Sequence, residues 1–114
     1  MKEAIAYYNK DADNFYIKIK NAKVEHTISW DEGRFYIDFD KNNQAVGIEI
    51  VGFAKGIPLG IPKKEIIKML TEIKEAKISV NTSNTSIYFK YYLKFAKSSH
   101  TGETAIPISA AIRI

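Results

Sequence analysis

Apolar and polar residues alternate with a period of two over much of the first half of the chain. Phe15, Ile17 and Ile19 alternate with Tyr16, Lys18 and Lys20, the signature of a half-buried strand. Val24, His26, Ile28 and Trp30 share one face of a second run, with Glu25, Thr27 and Ser29 on the other. Phe35, Ile37 and Phe39 point inward in a third, leaving Arg34, Tyr36 and Asp38 outward. Val46, Ile48 and Ile50 point inward in a fourth, with Glu49 outward. A short apolar run at residues 4–8 precedes them. The punctuation agrees: residues 9–14 (NKDADN) and 40–44 (DKNNQ) are turn chemistry, and Asp31-Glu32-Gly33 is a tight hairpin loop. The pattern predicts a meander of four or five antiparallel strands, its second face solvated or partnered.

The period changes after residue 54. Residues 55–61 (KGIPLGI) form a connector, and Pro62 suits the first position of a helix running to Lys77. Ile66, Met69, Leu70 and Ile73 recur at helical spacing, with Ile67 widening the stripe, so the helix packs on the sheet. Ile78 and Val80 begin a short strand and residues 81–86 (NTSNTS) a polar loop. In residues 87–95 (IYFKYYLKF), Ile87, Phe89, Tyr91, Leu93 and Phe95 face one way, and Tyr88, Lys90, Tyr92 and Lys94 the other. Tyr88, Tyr91, Tyr92 and Phe95 also share a helical face, but the β-rich composition favours strand. Residues 97–103 read as a turn and 104–114 as a last apolar strand, placed at an edge by Pro107. The fold class is α+β: one domain over residues 1–114, a mainly antiparallel twisted sheet carrying one amphipathic helix at about 62–77, with further strands at the C-terminus.

Composition narrows the function classes. With 114 residues, 46% apolar and 26% charged, the chain can bury a core unaided. It has no cysteine, which excludes a disulfide scaffold, a Cys-based metal centre and a thiol nucleophile. Residues 1–8 lack the apolar run of a signal peptide, and no window reaches membrane-span length. The expectation is a cytoplasmic protein, in which the Asn81-Thr82-Ser83 and Asn84-Thr85-Ser86 triplets are coincidental glycosylation matches. Residues 1–54 carry seven Lys/Arg against nine Asp/Glu, a net of −2. Residues 55–114 carry ten against four, a net of +6. Such a split suggests a polar partner or self-association, although +6 spread over the second half is also compatible with an ordinary surface.

Two stretches carry a family resemblance: Tyr7-Tyr8-Asn9-Lys10-Asp11-Ala12-Asp13-Asn14-Phe15-Tyr16-Ile17, and Tyr36-Ile37-Asp38-Phe39-Asp40 followed by Ala45-Val46-Gly47-Ile48-Glu49-Ile50. Residues 4–54 resemble the prokaryotic domain-of-unknown-function family 2283. This chain departs from the family pattern at Asn9 and Asn43, where Asp and Gly are common. The resemblance implies a small β-rich domain with no known catalytic residue, and a role as the antitoxin-like partner of a small toxin-like protein. The basic C-terminal half lies outside it.

The chemical constellations are weak. Asp38, Asp40 and Glu49 are candidate metal ligands, because Asp38-x-Asp40-x-Asn42 with Glu49 at the twelfth position has EF-hand spacing. Strand-like flanks, Asn43 where Gly belongs and Ala45 at the eighth position argue against that site. Turn capping plus a cross-strand pair of Glu49 with Arg34 is the simpler reading. Asp11 and Asp13 are read as turn stabilisers ahead of a loose divalent site. Ser98, Ser99, His100 and Glu103 hold the ingredients of a small hydrolase but no oxyanion hole, and His26 reads as a core or interface residue. No cofactor and no catalytic residue is assigned.

The row Tyr88, Lys90, Tyr92 and Lys94, with Lys97, is the most suggestive surface, and Lys63, Lys64 and Lys68 could extend it. It suits a solvated sheet face, a protein interface, or a single-stranded nucleic-acid platform with bases on rings and ammoniums on phosphates. The leading expectation is a non-enzymatic protein–protein interaction module that forms a homodimer and takes a small protein partner. Nucleic-acid binding is the alternative, a small hydrolase the remote one.

Overall fold

A computed structural model of the chain describes residues 1–56 and 62–107. Eight strands form one antiparallel sheet: β1 Lys2–Asn9, β2 Asn14–Ile19, β3 His26–Trp30, β4 Phe35–Phe39, β5 Ala45–Val51, β6 Glu75–Thr82, β7 Ser86–Lys94 and β8 Ser99–Pro107. The helix α1 spans Lys63–Thr71, and residues 54–56 form a short 3-10 turn. Within the sheet the strands run in the order β3-β4-β5-β2-β1-β6-β7-β8. Among the described residues, no helix is long and apolar enough to cross a membrane.

The strand alternation holds in the predicted register. Phe15, Ile17, Ile37 and Ile48 are fully buried, as are Ile87, Phe89 and Leu93 in β7, which settles residues 87–94 as strand and leaves Phe95 just past its end. The hairpin loop is tight: Asp31, Glu32 and Gly33 all have positive φ, and the Arg34 N–H donates to the Asp31 carbonyl at 3.1 Å. Pro107 closes β8, and β8 lies at a sheet edge, as the proline requires.

Four expectations are corrected. The first-half strands do not form a simple meander. β3, β4 and β5 do, but β2 lies beside β5, with the connectivity of a Greek key. Period-two patterns fix which face is buried but not which strand is the neighbour. The helix starts after Pro62, which is its N-cap and whose carbonyl accepts the Glu65 and Ile66 N–H groups. It ends at Thr71 rather than Lys77, because residues 75–77 belong to β6 and pair with Lys94, Leu93 and Tyr92 of β7. Residues 99–103 are strand, not turn, paired with β7 from Lys94↔Ser99 onward. Residues 57–61 of the connector and 108–114 of the last predicted strand lie outside the described residues.

The sheet halves are joined edge to edge through two residue pairs, Lys2↔Ile78 and Glu3↔Lys77. They are also joined face to face, because the sheet coils until its inner faces touch. Phe15 of β2 stacks on Phe53 with centroids 4.4 Å apart, and Tyr91 of β7 lies 5.6 Å from Phe15 and 6.1 Å from Phe53. Ile66 and Leu70 of α1 join this same core. Asp13 locks the β1–β2 turn to the segment bearing Phe53. Its carboxylate accepts the Tyr8 hydroxyl at 2.6 Å and the Ala54 N–H at 2.9 Å, and its carbonyl accepts the Gly52 and Phe53 N–H groups. Burial, then the Asp13 contact, pushes the Tyr8 phenol above its ordinary range. Asn9 caps the turn by accepting the Asp11 and Ala12 N–H groups.

Tyr91 is seated by a missing side chain. Opposite it on β8 stands Gly102, and a Cβ there would lie 2.2 Å from the Tyr91 ring and hydroxyl. Burial pushes the Tyr91 phenol up to about 12. Gly102→Ala is therefore expected to cost about 2 kcal/mol through overpacking, measured by urea denaturation. Adding Tyr91→Leu should recover part of that loss, a coupling that an unrelated backbone effect would not produce.

Candidate functional site

Alternation along β7 sends one row of side chains into the core and the other outward. Tyr88 is 47% exposed, Lys90 and Lys94 are exposed, and Tyr92 is half-buried. The register fixes their neighbours. Lys90 stands between Ser79 and Glu103, Tyr92 between Lys77 and Thr101, and Lys94 between Glu75 and Ser99. The lysines are thus interleaved with carboxylates: Lys90 lies 3.8 Å from Glu103, and Lys77 lies 3.7 Å from Glu75. Both pairs are exposed and weak, yet they lower the positive potential of the face. Lys97 is exposed in the β7–β8 turn. Lys64 and Lys68 do not continue this row. They border a separate groove with Tyr7 and Lys10.

The outer face of β1, β2, β5 and β4 holds a polar cluster that sequence reasoning took apart into single residues. Tyr7, Tyr16, Glu49 and Tyr36 stand opposite one another in one cross-strand row. In the next row Gly47 lies between Lys18 and Asp38. A Cβ at Gly47 would come within 3.1 Å of the Lys18 Cβ, so glycine lets the lysine stem lie across β5. The Lys18 ammonium donates to the Ala22 carbonyl at 2.6 Å. Asp38 accepts the Tyr16 hydroxyl on one oxygen and the Thr27 hydroxyl on the other, both at 2.6 Å. Asp38 was expected to point outward, and it does, but it is only 7% exposed. Tyr16 and Thr27 close over it from both sides. Burial, then the Asp38 contact, raises the Tyr16 phenol above its ordinary range.

Glu49 accepts an Asn14 amide N–H at 3.2 Å, not a bond from Arg34, whose ion pair is with Asp31 at 3.8 Å. Arg34 stands beside Val51, two pairs beyond the Tyr36↔Glu49 row. Asp40 caps its own turn, accepting the Asn42 and Gln44 N–H groups. The calcium-like spacing is thus divided between an outer-face network and a turn cap. Among the described residues no three His, Asp or Glu side chains gather as a metal cluster. The polar network surrounds a shallow groove of about 430 Å³. Its signal in the sequence was the outward assignment of Tyr16, Tyr36, Asp38 and Glu49. What was missing was the adjacency of β2 and β5, which alone brings them together.

The serine–histidine constellation is split by the strand it lies on. His100 is half-buried on the inner side of β8, its ring 5.9 Å from Tyr91, while Ser99 and Glu103 are exposed on the outer side. His26 stacks on Phe39 at 5.1 Å on the edge strand β3.

Residues 6–53 match the model of a family described as a protein of unknown function (DUF2283). This agrees with the resemblance over residues 4–54, and the rest of the chain is unmatched by any family. No curated protein and no solved structure matches the chain. The polar network of Asn14, Tyr16, Thr27, Asp38 and Glu49 falls wholly inside the matched segment, and the β7 row wholly outside it.

Tyr16→Phe leaves Asp38 with one hydroxyl partner and is expected to cost about 1–2 kcal/mol in urea denaturation, since bonds to charged groups exceed neutral ones. Burial lowers the His100 pKa below its ordinary 6.5, so the unfolded chain takes up the proton first as pH falls. The stability tied to neutral His100 is complete above the unfolded value and is lost as pH falls through the folded one. Because the ring is half exposed, the loss should stay under about 1 kcal/mol. Comparing the thermal midpoints of the native chain and His100→Gln between about pH 5 and 7 checks this, with a flatter profile expected for the variant.

Proposed function

We propose that this chain is a small non-enzymatic protein–protein interaction module, acting in the cytoplasm as a homodimer or with a small protein partner. One observation carries the reading: the outer face of β7 presents Tyr88 and Tyr92 among lysines that alternate with glutamates. Tyrosine gives large, stiff, amphipathic contact area and is enriched in interface cores. Mixed charges around it suit a polar rim that selects one partner surface rather than a uniform polyanion. The edge strands β3 and β8 offer a second means of pairing, by strand addition. The family resemblance adds a small toxin-like protein as the partner, which would make this chain its antitoxin.

A second reading has its own support. Tyr88, Lys90, Tyr92 and Lys94 alternate ring and ammonium along one strand, the layout of a single-stranded nucleic-acid platform. Glu75 and Glu103 on the same face weigh against it, since each offsets a cation that phosphates would need.

Light scattering coupled to gel filtration is expected to give a dimer, or affinity capture a single small protein. Tyr88→Ala and Tyr92→Ala should each weaken that contact about tenfold or more. A monomer with no captured partner at low salt counts against the interaction reading. Salt-sensitive oligonucleotide binding lost in Lys94→Ala would install the nucleic-acid reading instead.

A further inference from the structure

A groove of about 480 Å³ lies between the β1–β2 turn and α1. Lys64, Ile67, Lys68 and Thr71 line it from the helix, at the spacing that puts them on one helical face. Ile66 and Leu70 take the other side of α1 into the core. Tyr7, the most exposed large apolar side chain among the described residues at 66%, borders the groove from β1, and Lys10 borders it from the turn.

The charges of this groove are unfavourable as they stand. Lys64 and Lys68 are like charges one helical turn apart, and Lys64 lies in the first turn, where the helix dipole disfavours a cation. Lys10 brings a third ammonium to the same groove. The ion pairs among the described residues involve Lys20, Arg34, Lys77 and Lys90, none of these three. Asp11 also lines the groove, but its carboxylate makes none of those ion pairs, and the lining keeps a net charge of +2. A bound anion would relieve all three penalties at once.

A backbone amide not used by the β1–β2 ladder adds a donor. The Lys20 N–H bonds to the Glu3 carbonyl, so ladder alternation gives the amides of Ile5, Tyr7 and Asn9 to β2 and turns the Tyr8 amide to the opposite edge. On that edge β6 pairs only with Lys2 and Glu3. The Tyr8 amide therefore faces the edge of β1 that β6 leaves unpaired, and Tyr8 itself lines the groove.

We propose that this groove binds a phosphate group, with Lys10, Lys64 and Lys68 as its cations, the Tyr8 amide as a neutral donor, and the exposed Tyr7 ring beside it for a base or sugar. The phosphate comes either from a small molecule such as a nucleotide or from the backbone of a single strand. The site is independent of the β7 face and of the interaction reading.

The test is an amide-resolved NMR titration of the full chain at low salt, first with pyrophosphate and then with a short single-stranded oligonucleotide. Shifts are expected in residues 7–11 and 64–71. Lys68→Glu should weaken binding about tenfold and Lys68→Gln about threefold, with folding checked by circular dichroism. Lys41→Glu, exposed in the β4–β5 turn and outside both this groove and the β7 face, should change nothing. Pyrophosphate binding with this variant pattern assigns a small phosphate ligand, and oligonucleotide binding alone, with the same pattern, assigns a strand. Absence of shifts with either probe at millimolar concentration overturns the proposal. So does binding that Lys68→Glu leaves intact, or binding that Lys41→Glu abolishes.

Discussion

The molecule depends on one apolar contact, where Phe15, Phe53 and Tyr91 bring the inner faces of the two half-sheets together. Edge pairing joins the halves through only Lys2 and Glu3 against Ile78 and Lys77. Two residue pairs do not fix the relative orientation of five strands and three. Buried aromatics do, because they contribute large apolar area and about 0.5–1.5 kcal/mol beyond it for each well-oriented pair. Two local devices hold the contact. Asp13 ties the segment bearing Phe53 to the β1–β2 turn, and Gly102 clears the space that Tyr91 fills.

That contact determines what the surface can offer. Strands commit alternate residues to each face, so coiling the inner faces together turns the odd-numbered residues of β1 and the even-numbered residues of β7 to solvent. Both outer faces carry tyrosines but differ in electrostatics. On the family-matching half, Tyr7, Tyr16 and Tyr36 surround Glu49 and a covered Asp38. On the C-terminal half, Tyr88 and Tyr92 stand among lysines.

Much of this was legible because period-two alternation is a local signal. Phe15–Ile19, Phe35–Phe39 and Ile87–Phe95 bury the residues that the pattern said they would. The C-terminal end of the helix was not legible. Ile73 continues the 3–4 spacing of Ile66, Met69 and Leu70, and Glu72 and Lys74 are good helix formers, so propensity carries the helix onward. Pairing of Ala76, Ile78 and Val80 with Leu93, Tyr91 and Phe89 decides otherwise, and that pairing spans a distance in sequence that no local window sees. Residues 99–103 were missed for the converse reason. Ser, His, Thr, Gly and Glu look like a turn, yet at a sheet edge with one wet face and a glycine opposite Tyr91 they form a good strand.

The same reasoning explains why the polar network and the lysine groove escaped the sequence. Asn14, Tyr16, Asp38 and Glu49 lie on three strands, and they become one cluster only because β2 is inserted beside β5. Lys10 and Lys68 lie far apart along the chain and meet only because α1 packs against the end of β1 that β6 leaves uncovered. Linear charge counting instead credits Lys64 and Lys68 to the β7 row, where geometry does not put them. Net charge is thus a poor guide to sites in a chain of this kind. What separates the two basic regions is compensation: the β7 lysines have carboxylates as cross-strand neighbours, while the groove lysines mainly have one another. A cation already offset by a glutamate gains little from a phosphate, whereas three ammoniums lining one groove with a single carboxylate gain from the first anion that arrives.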